Sequence, residues 1–271
     1  MTMHPSVIGL FRKATTAWTV LYMVAMLGLG DAAWYAEPVR VLSPGAPGAD
    51  AINGLLAVID PLVGRLLCAV VLLVGLWRWR STSVAVGLLL WTGFKLVEWR
   101  TWLASNGGIQ LMANMLLWSA LMSPAERSAR GAGHGVALFA WWAARSQLVL
   151  VYAVTVVHKA LGHAWPDGTA VLLVAADPDF QLRWLLAWPS LCTALAHAAF
   201  AFMLLFPFAV WWSPARRIIL CVGALFHLAT GFFMDIPQMG LAFVACYSIW
   251  LEGDEAAWIR SRTVAAVVAR P

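Results

Sequence analysis

The stretch Val136–Leu161 reads VALFAWWAARSQLVLVYAVTVVHKAL, and its only ionisable residues are Arg145, Tyr152, His158 and Lys159. A membrane helix needs about 20 mostly apolar residues, and this run supplies them. Seven more runs of the same kind lie around it, at roughly 14–31, 62–78, 82–102, 108–123, 183–212, 216–235 and 237–252. The composition agrees. Hydrophobic residues make up 62% of the 271 residues and charged residues 11%, with a mean hydropathy of +0.78. A soluble domain carries about a quarter charged residues, so there is too little charge here to cover a water-facing surface. An outer-membrane barrel would show short alternating segments instead. The fold class is therefore all-α, a polytopic integral membrane bundle of about eight transmembrane helices, with residues 1–271 as a single membrane domain. The fourth and eighth runs are short, so six or seven spans also fit. Ser123-Pro124, Ser213-Pro214 and Pro237 mark the breaks.

The net charge of +5 is spread in small clusters between the runs. It forms no basic stripe with interleaved aromatics, which excludes a nucleic-acid partner. The clusters fit the positive-inside bias instead. With the N-terminus cytoplasmic, the inner segments hold Arg12, Lys13, Arg78, Arg80, Arg127, Arg130, Arg216, Arg217, Arg260, Arg262 and Arg270. The outer ones hold Arg40, Arg100 and Arg183. Both termini are then cytoplasmic, and the protein is a multi-pass protein of the cell membrane whose partner is the lipid bilayer. Trp34, Trp77, Trp79, Trp99, Trp102, Trp184, Trp211, Trp212 and Trp250 fall near run ends, where aromatic belts sit. The first run, led by Arg12/Lys13, reads as a membrane helix and not as a cleaved signal, since no A-x-A site follows it. Cys68, Cys192, Cys221 and Cys246 sit in apolar runs without a CxxC and read as small apolar residues. The outer stretch 32–61, with Ser43-Pro44-Gly45-Ala46-Pro47-Gly48, leaves room for a short interfacial helix. A second outer stretch covers 162–182.

Ionisable residues inside a membrane cost about 2.5–3.5 kcal/mol on insertion scales, so each one needs a reason. Arg145, Tyr152 and Lys159 are spaced seven apart, drift about 20° per step and line one stripe. Gln147 and His158 lie on other faces. Lys159 is close to the outer end, where it serves either as a snorkelling anchor or as a buried functional amine. Arg145, in the inner half, is expected to pair within the bundle. Trp91, Lys95, Glu98 and Trp102 share a face, and Lys95 and Glu98 at i,i+3 are expected to neutralise each other. His227 sits mid-run with Thr230 one turn on, and is equally a packing residue or a site residue. His197, beside Ser190 and Thr193, reads as packing. His158, His197 and His227 have no metal-ligand spacing, so no metal is expected.

The sequence Arg145-Ser-Gln147-Leu-Val-Leu-Val-Tyr152-Ala-Val-Thr-Val-Val-His158-Lys159, followed by Trp165-Pro-Asp167-Gly168-Thr169-Ala170, resembles the core of the horizontally transferred transmembrane domain. That is the membrane region shared by vitamin K-dependent gamma-carboxylases and many small bacterial proteins. Phe226-His227-Leu228, Leu10-Phe11-Arg12 and Trp34-Tyr35 also match its pattern, and the likeness extends over about residues 8–252.

The resemblance implies a chemistry. In the carboxylases the lysine matching Lys159 deprotonates vitamin K hydroquinone. Oxygen adds, and the strong base so formed takes a γ-proton from a substrate Glu, whose carbanion captures carbon dioxide. The expected cofactor is thus reduced vitamin K or another isoprenoid quinol. Lys159 and His227 are the expected catalytic pair, with Arg145, Gln147, Tyr152, His158, Trp165 and Gly168 around the cofactor. Lys159 would act at the exoplasmic face. The large extramembrane region with which carboxylases hold their substrate has no counterpart here, so the expected substrate is an exported peptide or protein, or a small molecule. Short members of the family also resemble membrane proteins of sporulation-delaying toxin systems. That likeness implies a second class of function: a non-catalytic partner in maturation, export or immunity of a secreted peptide.

Overall fold

A computed structural model describes residues 3–28, 49–57, 59, 61–101, 105–127 and 133–268. Trp34, Tyr35, Arg40, Trp102, Arg130, Arg270 and the Ser43–Gly48 segment lie outside the described residues. Every regular element described is helical: α1 (Pro5–Gly28), α2 (Ala49–Ala57), α3 (Pro61–Arg80), α4 (Val84–Arg100), α5 (Gly107–Arg127), α6 (His134–Leu161), α7 (Ala170–Ala176), α8 (Pro189–Ala209), α9 (Ser213–Phe233), α10 (Pro237–Tyr247) and α11 (Gly253–Val268). Four of them are long and apolar enough to cross a membrane: Leu62–Arg80, His134–Leu161, Pro189–Ala209 and Ser213–Phe233. Their outward faces carry Leu73, Phe208, Leu225 and Phe232, exposed by 65%, 73%, 70% and 67%. So much outward apolar surface marks a membrane protein.

The chain forms two compact units, Met1–Trp141 with Leu251–Pro271, and Trp142–Trp250. In the first, α1 packs on α3, α5 and α11, and α4 packs between α3 and α5. Small residues allow the close crossings. A methyl group at Gly87 would lie 2.9 Å from the Ala120 Cα, and one at Gly93 would lie 2.7 Å from a Val71 methyl. In the second unit, α8 packs on α7 and α9, and α9 on α10.

Within a bilayer, backbone groups must be satisfied by the protein, and the last carbonyls of each helix have no partner of their own. Buried arginines meet that need. Arg12, from α1, donates to the Arg78 and Trp79 carbonyls at the end of α3, at 2.8 and 3.1 Å. Arg78 donates to Ser81 O and Ser83 O at 3.0 Å each, to Ser119 O at 3.3 Å, and to the Ser123 hydroxyl. Arg100 donates to Ile59 O at 2.7 Å, and Arg216 to Val210 O at 3.0 Å. Clusters that the sequence presents as flanking charge thus contain residues folded into the protein, Arg12, Arg78 and Arg216 among them.

Several boundaries differ from the sequence expectation, each for a local reason. α1 starts at Pro5, not near residue 14. The proline sits in the first turn, where its missing N–H costs nothing, and His4 accepts from the amides of Ser6, Val7 and Ile8. α5 runs through Pro124 to Arg127 instead of stopping before the proline. The single run expected over 183–212 is a 3-10 turn, Arg183–Ala187, and then α8, because Pro189 starts a new helix. α10 ends at Tyr247 and tightens into a 3-10 turn, Ser248–Trp250. α11 was not expected at all, although its start is capped: the Glu252 amide donates to Glu255 Oε2 at 2.8 Å, half of a capping box. In the stretch 32–61, α2 is the short helix for which the sequence leaves room.

Candidate functional site

The second unit holds a buried polar cluster inside an aromatic shell. Tyr152 on α6 and His227 on α9 are 2% and 4% exposed. The Tyr152 hydroxyl lies 2.6 Å from His227 Nε2 and is hydrogen-bonded to the hydroxyl of Tyr247, at the end of α10. Phe206 stacks on Tyr152 at 4.0 Å. Phe243 lies parallel to the His227 ring at 4.0 Å and 6°, and Phe202 and Phe226 meet it edge-on. His227 Nδ1 is buried and, among the described residues, has no hydrogen-bond partner.

Two glycines make the cluster fit. A methyl group at Gly223, one turn before His227, would overlap the Tyr247 hydroxyl and lie 2.9 Å from Phe202 Cζ. Gly240 packs its bare Cα against the His227 carbonyl, which brings α10 onto α9. Tyr247 escaped the sequence reading, which gave it no role at the end of its run. One signal was available: the chain has only four tyrosines, so one inside an apolar run called for a hydroxyl partner.

The other expected site residues fall into separate neighbourhoods. Arg145, 1% exposed, donates through Nε and Nη2 to Ile249 O at 3.3 and 3.0 Å, and its guanidinium stacks on Trp250 at 4.7 Å. It pins the 3-10 turn that follows Tyr247. Gln147 is half-buried and His158 exposed. Lys159, half-buried, lies over the half-buried Trp165, with its amine 3.6 Å from the ring centroid. Seven residues separate it from Tyr152, a rise of about 10 Å along α6. Among the described residues no hydrogen bond or ion pair joins Lys159 to His227.

Gly168 is buried at φ +73°, in the left-handed region that suits glycine. A methyl group there would lie 2.6 Å from Thr193 Cγ2 and 3.0 Å from His197 Cε1. His197 Nε2 in turn donates to Pro166 O at 3.2 Å. The Trp165–Ala170 turn is therefore seated on α8, and His197, expected only to pack, holds it there. Thr230 bonds back to Phe226 O at 2.8 Å and takes no part in the cluster.

In the first unit Lys95 and Glu98 pair at 2.5 Å, as their spacing predicts, with Glu98 fully buried. Cys68, Cys192 and Cys246 are buried, Cys221 is exposed, and all four are free thiols. Among the described residues no group of three His, Cys, Asp or Glu could hold a metal. No family model, curated protein or solved structure matches the chain.

Proposed function

We propose that this protein is a quinol-dependent membrane enzyme of the gamma-carboxylase type. It acts on an exported peptide or small substrate at the exoplasmic face, within an eight-span topology whose termini are both cytoplasmic. The observation that carries the reading is the buried Tyr247–Tyr152–His227 chain, which ends on a ring nitrogen with no partner among the described residues. A buried polar atom left unpaired in a folded protein points to a group that pairs with it. Such an atom among aromatic side chains would suit a flat ring bearing an oxygen. An isoprenoid quinol, reduced vitamin K or a relative, would supply the electrons that reduce oxygen when bound. His227 would hold an oxygen of the quinol ring through Nδ1. Lys159, which has no carboxylate partner among the described residues, takes a proton in its neutral form, a form that withdrawal from water favours. The phenylalanines exclude water, which keeps a basic site from being quenched.

The test is epoxide formation from a reduced naphthoquinone under oxygen, by the purified wild type and by Lys159→Ala, together with a lipid extract of each. Epoxide that depends on Lys159 is the expected result. A folded wild type with neither bound quinone nor epoxide overturns the reading.

One contact favours a second reading. A lysine at a helix end, seated on a tryptophan, is also how an interfacial anchor is built. On that reading the chain is a non-catalytic partner in the maturation, export or immunity of a secreted peptide.

A further inference from the structure

The family resemblance implies that Tyr152 touches the cofactor. The hydrogen bonds around it say otherwise. Its hydroxyl has one proton to give, and two groups already surround it, Tyr247 Oη and His227 Nε2. Three arrangements satisfy both contacts with a neutral imidazole.

In the first, Tyr247 donates to Tyr152 and Tyr152 donates to His227 Nε2. The histidine proton then sits on Nδ1, and that N–H is the one group left unpaired. In the second, His227 Nε2–H donates to Tyr152 and Tyr152 donates to Tyr247. The Tyr247 proton and the Nδ1 lone pair are then both stranded, in a place where unpaired polar groups are costly. In the third, His227 Nε2–H and Tyr247 both donate to Tyr152, and the Tyr152 proton is stranded together with the Nδ1 lone pair. One orphan is better than two, and in the first arrangement each hydroxyl polarises the next. A protonated imidazolium is disfavoured because no described carboxylate touches the ring and burying a lone charge is expensive.

We infer that Tyr152 is a positioning residue that holds His227 as the neutral Nδ1–H tautomer, and that the site presents one buried N–H donor to an acceptor oxygen of its ligand. Tyr247 is secondary. It removes the competing use of the Tyr152 oxygen but does not choose the tautomer, since without it the same arrangement still strands fewer groups. Phe243, lying flat on the imidazole, keeps the ring plane fixed. The proposal rests on the reading above only in naming the ligand oxygen as that of a quinol. The tautomer itself is independent of any ligand.

The experiment is nitrogen NMR of the full chain in nanodiscs without added quinone, labelled with 15N-histidine. His227 is assigned as the resonance set missing from His227→Asn. The wild type is expected to show a protonated Nδ1 and an unprotonated Nε2. Tyr152→Phe keeps the ring stacked on Phe206 and is expected to lose this pure state, with the Nε2–H form appearing. Tyr247→Phe is expected to retain it. A wild type in the Nε2–H or imidazolium form overturns the inference, whatever the variants do. So does a folded Tyr152→Phe that stays wholly Nδ1–H. Failure to find quinone or epoxide would remove the quinol reading and leave the tautomer result untouched.

Discussion

The amine of Lys159 lies 3.6 Å from the centroid of the Trp165 ring, six residues further along the chain. A cation over an indole is held by the ring's negative face, and an arginine holds equally well there. A base must instead lose its proton, which arginine does not do. Lys159→Arg therefore separates the two functions. With Lys159 as a base, epoxide formation falls by about 10²–10⁴-fold, the usual weight of a general base, while the melting midpoint of the protein stays near wild type. With Lys159 as an anchor, Lys159→Arg leaves every property as it was, including co-purification of a peptide partner.

Gly168→Ala is expected to unseat the Trp165–Ala170 turn. The residue sits at φ +73°, which costs an alanine about 1–2 kcal/mol, and the new methyl would press on Thr193 Cγ2. Thr193→Ser in the same protein removes that methyl and should restore the packing part but not the backbone part. Hydrogen exchange at residues 165–170 is the measurement. It should be fastest in Gly168→Ala, intermediate in the double variant, and raised as well in His197→Ala, which loses the bond to Pro166 O.

The apolar helices were legible because membrane insertion demands long runs, and a run is a property of sequence alone. The Lys95–Glu98 pair was legible for a similar reason: three residues on one helix fix the distance between side chains. Tyr152 and His227 stood out only as polar residues in apolar runs. That they meet depends on the tertiary fold that brings Tyr152 of α6 to His227 of α9, and on Gly223 leaving room for Tyr247, neither of which local spacing encodes. The carbonyl partners of Arg12, Arg78 and Arg216 were hidden for a physical reason. A guanidinium beside a helix end looks the same in sequence whether it faces lipid headgroups or reaches inward to a carbonyl.

Arg78→Lys tests that last distinction. Arg78 spans from Ser81 O and Ser83 O to Ser119 O and the Ser123 hydroxyl, so it joins α3, the α3–α4 connection and α5. A lysine keeps the charge and any topological role but has no planar fork to reach all four. The expected loss is about 2–4 kcal/mol, since bonds to a charged donor are worth more than neutral ones. It is read as a lower midpoint in denaturant, with orientation unchanged. An unchanged midpoint would mean that charge alone matters at this position.

The proposed topology predicts that a fluorescent reporter fused after Pro271 folds in the cytoplasm and that a cysteine placed at Asp167 reacts with a membrane-impermeant maleimide from outside, in a background without Cys221. The risk lies in α10. Its 11 residues rise about 16 Å and the Ser248–Trp250 turn adds about 6 Å, which together fall short of a hydrocarbon core of about 30 Å. A dark reporter together with an outward Asp167 position would show that α10 turns back and that the chain has seven spans.

The Lys95–Glu98 pair should respond unevenly to the loss of either member. Glu98 is fully buried while Lys95 retains 23% exposure, and the amine has a second resting place over Trp99, 5.3 Å from that ring. Glu98→Gln therefore frees a lysine that can turn outward, and should cost about 1 kcal/mol, the scale of one lost hydrogen bond. Lys95→Met leaves a carboxylate in the interior with nothing to balance it, and breaking a buried pair from that side costs about 3–5 kcal/mol. The double variant, Lys95→Met with Glu98→Gln, carries no charge and should recover part of that loss, giving a coupling of about 1–3 kcal/mol in a double-mutant cycle. Denaturant titrations of the four proteins measure it. Equal costs for the two single variants would mean that Lys95 is held as tightly as Glu98. That outcome would turn the pair from a neutralised stabilising contact into a fixed charged element of the first unit.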